Sequence, residues 1–247
     1  LLTDFVGGGL ALSNRVVVLK VGVRQMFMLT TMIWLSIATF GALPLYFSDL
    51  GLTYTDAFFE SMSGITTTGS TVISGLDSTS LGILLWRALL QWLGGIGIIV
   101  MAIAVLPALQ VGGMQLFRIE SSESSEKAFP RVAQFAVGVT LIYVVMTAVC
   151  AISLWIAGMT GFESIAHSMT TIATGGFSTS DQSIGHFESS SIEWIVVVFM
   201  ILGSLPFVLY LEAVRGRAQA LWKDSQVQWF LAIIAFFVIA IALWRIL

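Results

Sequence analysis

Cysteine is nearly missing from this sequence: Cys150 stands alone, so no intrachain disulfide can staple the fold, and packing is its expected use. Charge is scarce too, at 10% of residues where an ordinary soluble domain carries about 25%, which excludes a water-soluble globular chain. The two histidines, His167 and His186, stand at no recognised metal-ligand spacing from the cysteine or from acids. "WLGGIGII" at 92–99 lacks the six-residue dinucleotide glycine pattern, and no Gly-x-Ser-x-Gly elbow occurs. Nucleotide binding and serine hydrolysis therefore have no footing here, no covalent cofactor or nucleic-acid partner is indicated, and the chain is not expected to be an enzyme. Lysine and arginine are absent from 48–80 and from 159–191.

What fills the chain is apolar: 57% of residues are hydrophobic. Five runs, at 25–47, 81–109, 131–158, 192–214 and 226–246, are each long enough to cross a hydrocarbon core about 30 Å thick, which takes about 20 helical residues. Backbone groups in lipid must be satisfied within their own segment, and barrel strands would be alternating segments of about ten residues, so the runs predict helices embedded in membrane lipid. Basic residues gather at Arg15, Lys20 and Arg24, at Arg118, Lys127 and Arg131, and at Arg215, Arg217 and Lys223. The positive-inside rule puts those segments in the cytoplasm and the two lysine-free connections outside. The outer connections carry Asp49, Asp56, Glu60 and Asp77, then Glu163, Asp181 and Glu188, a charge balance that concentrates cations or that the rule alone leaves behind.

The two outer connections repeat each other. A shift of 107 positions carries Ser61-Met62 onto Ser168-Met169, Ile65 onto Ile172, Thr67 onto Thr174 and Gly69 onto Gly176 without a gap. It also carries Thr53 onto Thr160 and Asp56 onto Glu163, so each copy opens with Thr-x-x-Asp/Glu, the capping-box pattern of a helix start. A helix from Tyr54 to Gly64 rises about 15 Å, half a bilayer. The pattern predicts a re-entrant half-helix that aims the negative end of its dipole at the membrane centre. "TTTGS" (66–70) and its counterpart then follow at membrane depth. Non-helical backbone survives there only where protein buries it or water wets it. A backbone that turns successive carbonyls to one axis can replace the hydration shell of a potassium ion, and it needs dihedrals that glycine adopts freely. A single copy would read as a polar loop closed by a helix-capping glycine. Two copies in register, each behind a matched cap, favour the ion-ligand reading.

These segments resemble the potassium-translocating subunit of the Trk/Ktr/HKT superfamily, most closely the bacterial Trk type. The resemblance is carried by "TDAFFESMSGITTTGST" (55–71), "QWLGGIGIIVMAIAVLP" (91–107), "VGGMQLFR" (111–118) and "HSMTTIATGGFSTSD" (167–181). It implies an all-α membrane protein of repeated units: transmembrane helix, re-entrant pore helix with filter loop, transmembrane helix. Residues 25–109 are then the first membrane-pore-membrane repeat and 131–214 the second. Residues 1–24 become a cytoplasmic lead-in, 110–130 a cytoplasmic linker, and 215–247 a basic loop with the first helix of an incomplete third repeat. The resemblance implies potassium binding along Thr66, Thr67, Thr68, Gly69 and Ser70, and along Ala173, Thr174, Gly175, Gly176 and Phe177. It also implies residence in a bacterial inner membrane, a homodimer of the full-length protein, and a cytosolic nucleotide-binding regulatory ring docking on the basic faces. Family members hold four repeats in one chain. This sequence, which starts at Leu1, reads as a fragment with two, and alone it is not expected to conduct.

The competing reading is an ion-coupled secondary transporter whose broken helices bind a solute at the midplane. Both copies enter from the same side, which argues against an inverted repeat. Arg87, at bilayer depth in the second span, needs a partner, for which Glu60 and Asp77 are the candidates. His167 occupies the repeat position of Glu60 and is expected to tie its half-helix to a neighbour. Gly94, Gly95 and Gly97 permit a close helix approach, Pro130 suits the first turn of the third span, and Pro206 should bend the fourth.

Overall fold

The computed structural model describes residues 23–109 and 128–246. The lead-in expected at 1–24 and the linker expected at 110–130, with Arg15, Lys20, Arg118 and Lys127, fall almost wholly outside the described residues. The described residues form helices and two short 3-10 turns, with no strand among them.

The first unit consists of α1 (Val23–Tyr46), the short α2 (Tyr54–Ile65) and α3 (Leu81–Leu109). The second consists of α4 (Ala128–Ile156), the short α5 (Gly161–Ile172), α6 (Ser190–Ser204) and α7 (Phe207–Val214). A one-turn α8 (Gln219–Lys223) leads to α9 (Ser225–Ile246). The Asp224 carboxylate accepts from the backbone N–H groups of Gln226 at 2.9 Å and Val227 at 3.1 Å, which starts α9. Pro130 falls in the first turn of α4, where its missing N–H costs nothing.

Stretches long and apolar enough to cross a membrane lie at Phe27–Tyr46, Leu81–Met101, Phe135–Ile156 and Ser225–Arg245. They match four of the five runs read from the sequence. The fifth, expected as one span at 192–214 with a bend, is two helices, α6 and α7, turned 89° apart. Pro206 removes a backbone donor at the break. Phe207 and Leu211 of α7 then bury themselves, Leu211 against Gly138 and Phe207 beside the Tyr143 ring, and hold the turned helix on α4. The Tyr210 hydroxyl donates to the Leu202 carbonyl at 2.7 Å, satisfying an acceptor that the break leaves at the end of α6.

Two apolar clusters hold the units together. In the first, Ala42 and Leu45 of α1 meet Ala57 of α2, Leu84 of α3, and Ile73 and Leu76 of the outer connection. In the second, Val139, Tyr143, Cys150 and Leu154 of α4 meet Ile172, Ile192 and Phe207. Cys150 is fully buried and does the packing expected of it. α3 packs on α2 of its own unit and on α5 of the next, so it stands between the two short helices.

Candidate ion-pathway site

Both short helices start as their sequences dictate. At α5 the capping box is complete: the Glu163 N–H donates to the Thr160 hydroxyl oxygen, and the Thr160 N–H donates to Glu163 Oε2 at 2.9 Å. At α2 only half of it forms, because Asp56 is a methylene shorter. Its N–H still donates to Thr53 Oγ1 at 3.2 Å, while its carboxylate takes the Thr53 hydroxyl at 2.6 Å.

The two helices also end alike. The Thr68 N–H donates to the Ser63 carbonyl and the Thr67 N–H to the Gly64 carbonyl, both at 2.9 Å. In the second copy the Gly175 N–H reaches the Thr170 carbonyl at 2.8 Å and the Thr174 N–H the Thr171 carbonyl at 3.0 Å. This pair of bonds is the Schellman closure, whose left-handed residue is normally glycine. Here it is Thr67, with φ 55°, and Thr174, with φ 51°. A β-branched residue in that region is an outlier, and such strain costs roughly 1–3 kcal/mol and collects at functional sites. The capping-glycine reading therefore fails: the glycines lie two residues further on, Gly69 at φ 81° and Gly176 at φ 84°. Left-handed residues thus alternate with their neighbours through both loops.

Each helix end is seated on a glycine of the following long helix. A Cβ at Gly94 would collide with the Ile65 carbonyl oxygen, and one at Gly203 would lie 2.7 Å from the Ile172 carbonyl oxygen. Gly95 faces Ala173 and Tyr143 in the same way, which gives the small residues of α3 the close approach expected of them.

The loops meet. A Cβ added to Gly69 would strike the Gly175 carbonyl oxygen, so the two backbones touch at that point. Thr66, Thr68, Ser70, Thr174 and Gly176 are exposed along the seam, Thr67 and Gly69 are half-buried, and Ala173, Gly175 and Phe177 are buried. Two threonine hydroxyls have local bonds: Thr66 donates to the Met62 carbonyl at 2.7 Å and lies 2.8 Å from the Thr68 hydroxyl. Gly175 differs from what its place in the loop suggests. Gln91 Nε2 donates to its carbonyl at 2.8 Å, and Gly69 lies against the same oxygen. Phe177 turns its ring under the Arg87 guanidinium, 4.2 Å from centroid to Cζ.

Behind the seam lies the one ion pair found among the described residues. Arg87 Nε donates to Glu60 Oε1 at 2.9 Å, and both side chains are buried. Glu60 also accepts from the Thr71 hydroxyl at 2.8 Å and the Val72 N–H at 2.9 Å. Arg87 donates onward to Thr71 Oγ1 and to the Ser178 carbonyl, both at 3.1 Å. Its partner is thus Glu60, whereas Asp77 lies with Ser180, whose hydroxyl draws that carboxyl below the ordinary aspartate range. The second unit repeats the tie in different chemistry. His167 Nε2 lies 3.0 Å from the Ser178 hydroxyl, and its Nδ1 lies 2.9 Å from the Glu163 carbonyl. A carbonyl only accepts, so Nδ1 carries the hydrogen, and in the neutral ring Nε2 accepts from Ser178. His186 is exposed.

At the outer rim, the Asp181 carboxylate accepts from the Gly75 N–H at 3.0 Å and the Leu76 N–H at 3.1 Å, holding the first connection to the second. Asp56, Glu60, Glu163 and Asp181 thus have structural partners, and the acidity of the outer connections is largely architectural. Sequence reasoning named Asp181 only as one of the outer acids and missed Gln91. The only signal for Gln91 was a glutamine one turn after an arginine inside an apolar span.

Two broken units of this kind, each with a short capped helix running into an irregular loop and then a long apolar helix, define a membrane protein of the membrane-pore-membrane class. The sequence model of the TrkH family, described as cation transport protein, matches residues 2–247, and the chain belongs to that family. It is 46% identical over 223 residues to the Trk system potassium uptake protein TrkI of Halomonas elongata, covering 90% of this chain and 45% of the relative. It is 46% identical over 214 residues to the Trk system potassium uptake protein TrkH of Escherichia coli K12, covering 85% of this chain and 44% of the relative. The crystal structure of the potassium transporter TrkH from Vibrio parahaemolyticus superposes with a TM-score of 0.83 at 39% identity, over 95% of this chain and 48% of that one. The chain spans about half the length of the relatives it matches.

Proposed function

We propose that the full-length parent protein takes up potassium across a bacterial inner membrane, and that this chain supplies two of the walls of its pathway. The ion sheds water against peptide oxygens of the loops 66–70 and 173–177 and moves inward down its electrochemical gradient, with no bond made or broken. Thr67, Gly69, Thr174 and Gly176 set the backbone path, and Thr66, Thr68 and Ser70 supply hydroxyls at its edge. Ala173, Gly175 and Phe177 serve as the buried backing of the second loop. The pore loops face the periplasm and the basic segments the cytoplasm. There a homodimer of the parent, with a nucleotide-binding regulatory ring, would engage faces such as Arg215, Arg217 and Lys223. The observation that carries this reading is the meeting of Gly69 with Gly175 between two loops strained at the same repeat positions.

The solute-transporter alternative would place its ligand at a broken helix. The break between α6 and α7 is flanked by Leu202, Leu205 and Phe207, and Tyr210 takes the Leu202 carbonyl, so that site offers a solute little to bind. The test is rubidium and sodium uptake by cells lacking other potassium systems and carrying the parent. Gly69→Ser should lower the rubidium-to-sodium ratio, and an unchanged ratio contradicts the assignment.

A further inference from the structure

Gln91 is fully buried in the middle of an apolar helix, and its amide is used twice on the same loop of the other unit. Nε2 donates to the Gly175 carbonyl at 2.8 Å, and Oε1 accepts from the Phe177 N–H at 3.1 Å. The two bonds bracket Gly176, the residue at φ 84°. The side-chain amide thereby stands in for the peptide of a neighbouring strand, in a place where no strand exists. Gly175 is shaped for this contact: its φ is not left-handed, and a Cβ there would collide with the Gln91 amide. One turn earlier on α3, Arg87 holds the next peptide, at the Ser178 carbonyl. The loop 175–178 is therefore anchored to a helix of the preceding unit.

This anchor is not a by-product of the repeat. The seat glycines Gly94 and Gly203 align the two long helices, and on that alignment Gln91 corresponds to Met200, which makes no such bonds. A glutamine that serves only its own helix would not need two peptides of another unit at bonding distance.

We infer that Gln91 is a positioning residue for ion selection: it fixes the path of Gly176 and holds the Gly175 carbonyl where it meets Gly69, so that both loops keep a common register. The inference rests on the pathway reading above, and Gly69→Ser serves as the control that separates the two. The experiment measures initial rubidium and sodium uptake, with membrane abundance, in cells carrying the full-length parent. Gln91→Met, close in volume but unable to make either bond, is expected to lower the rubidium-to-sodium ratio about tenfold at wild-type abundance, the order of a lost buried hydrogen-bond pair. Gln91→Asn keeps the amide but retracts it by a methylene. It is expected to fall between Gln91→Met and wild type, and it decides the matter if Gln91→Met does not reach the membrane. A wild-type ratio in the variants that reach the membrane overturns the inference. If Gly69→Ser lowers the ratio while they do not, the role of Gln91 alone falls. If all the variants keep the wild-type ratio, the pathway assignment falls with it.

Discussion

Gly69 and Gly175 touch backbone to backbone across two units of the same chain, although the repeat pairs Gly69 with Gly176. The contact leaves no room for a side chain at Gly69, whereas a Cβ at Gly176, at nearly the same φ, meets nothing within 4 Å. The two repeat-related glycines therefore differ. In the parent, Gly69→Ala should disturb rubidium-over-sodium uptake more than Gly176→Ala, because only the first adds a collision to the dihedral strain. Equal effects would show that the dihedral alone decides.

The strain at Thr67 has its own test. Thr67→Gly removes a left-handed β-branched residue, worth roughly 1–2 kcal/mol, and adds about 0.5–1 kcal/mol of backbone entropy. Thermal unfolding of the purified parent should show this variant unchanged or stabilised by up to about 1.5 kcal/mol. A clear loss of stability would mean that the Thr67 side chain contributes more than its strain costs.

Arg87 and Glu60 form a buried pair with four further bonds. Breaking it from one side strands a charge, so Arg87→Met should cost about 3–5 kcal/mol and cut membrane abundance. Arg87→Met combined with Glu60→Gln should recover much of that loss, because the remaining amide can still accept from Val72 or Thr71. A double-mutant cycle on thermal stability reads the coupling, and additive losses would contradict it.

At the rim, Asp181→Asn keeps an acceptor but loses the charge that draws in the Gly75 and Leu76 N–H groups. A loss of about 1 kcal/mol is expected, the size of an ordinary helix-cap deletion. Thermal unfolding of the parent checks it, and no change would show that solvent replaces the contact.

The repeat, the two capped half-helices and the threonine-glycine loops were legible because they depend on local rules: a hydroxyl three residues before an acid, and glycine where the chain must turn. The contacts between units were not legible. Gln91 and Asp181, and Arg87 through its bond to the Ser178 carbonyl, act on residues of the other unit, and only the packing of the two units brings those partners within reach. The turn at Pro206 was legible as a bend, since a missing donor is local. Its 89° was not, because the angle is set by how Phe207 and Leu211 bury against α4. The left-handed threonines also escaped notice, since nothing in their side chains announces a conformation that glycine usually takes.

The most direct measurement is anomalous scattering from crystals of the full-length parent grown in rubidium or thallium. The account predicts an anomalous peak in contact with peptide oxygens of both 66–70 and 173–177, on the side of the seam away from Gln91. A structure with the ion bound elsewhere, and no peak beside either loop, would contradict it.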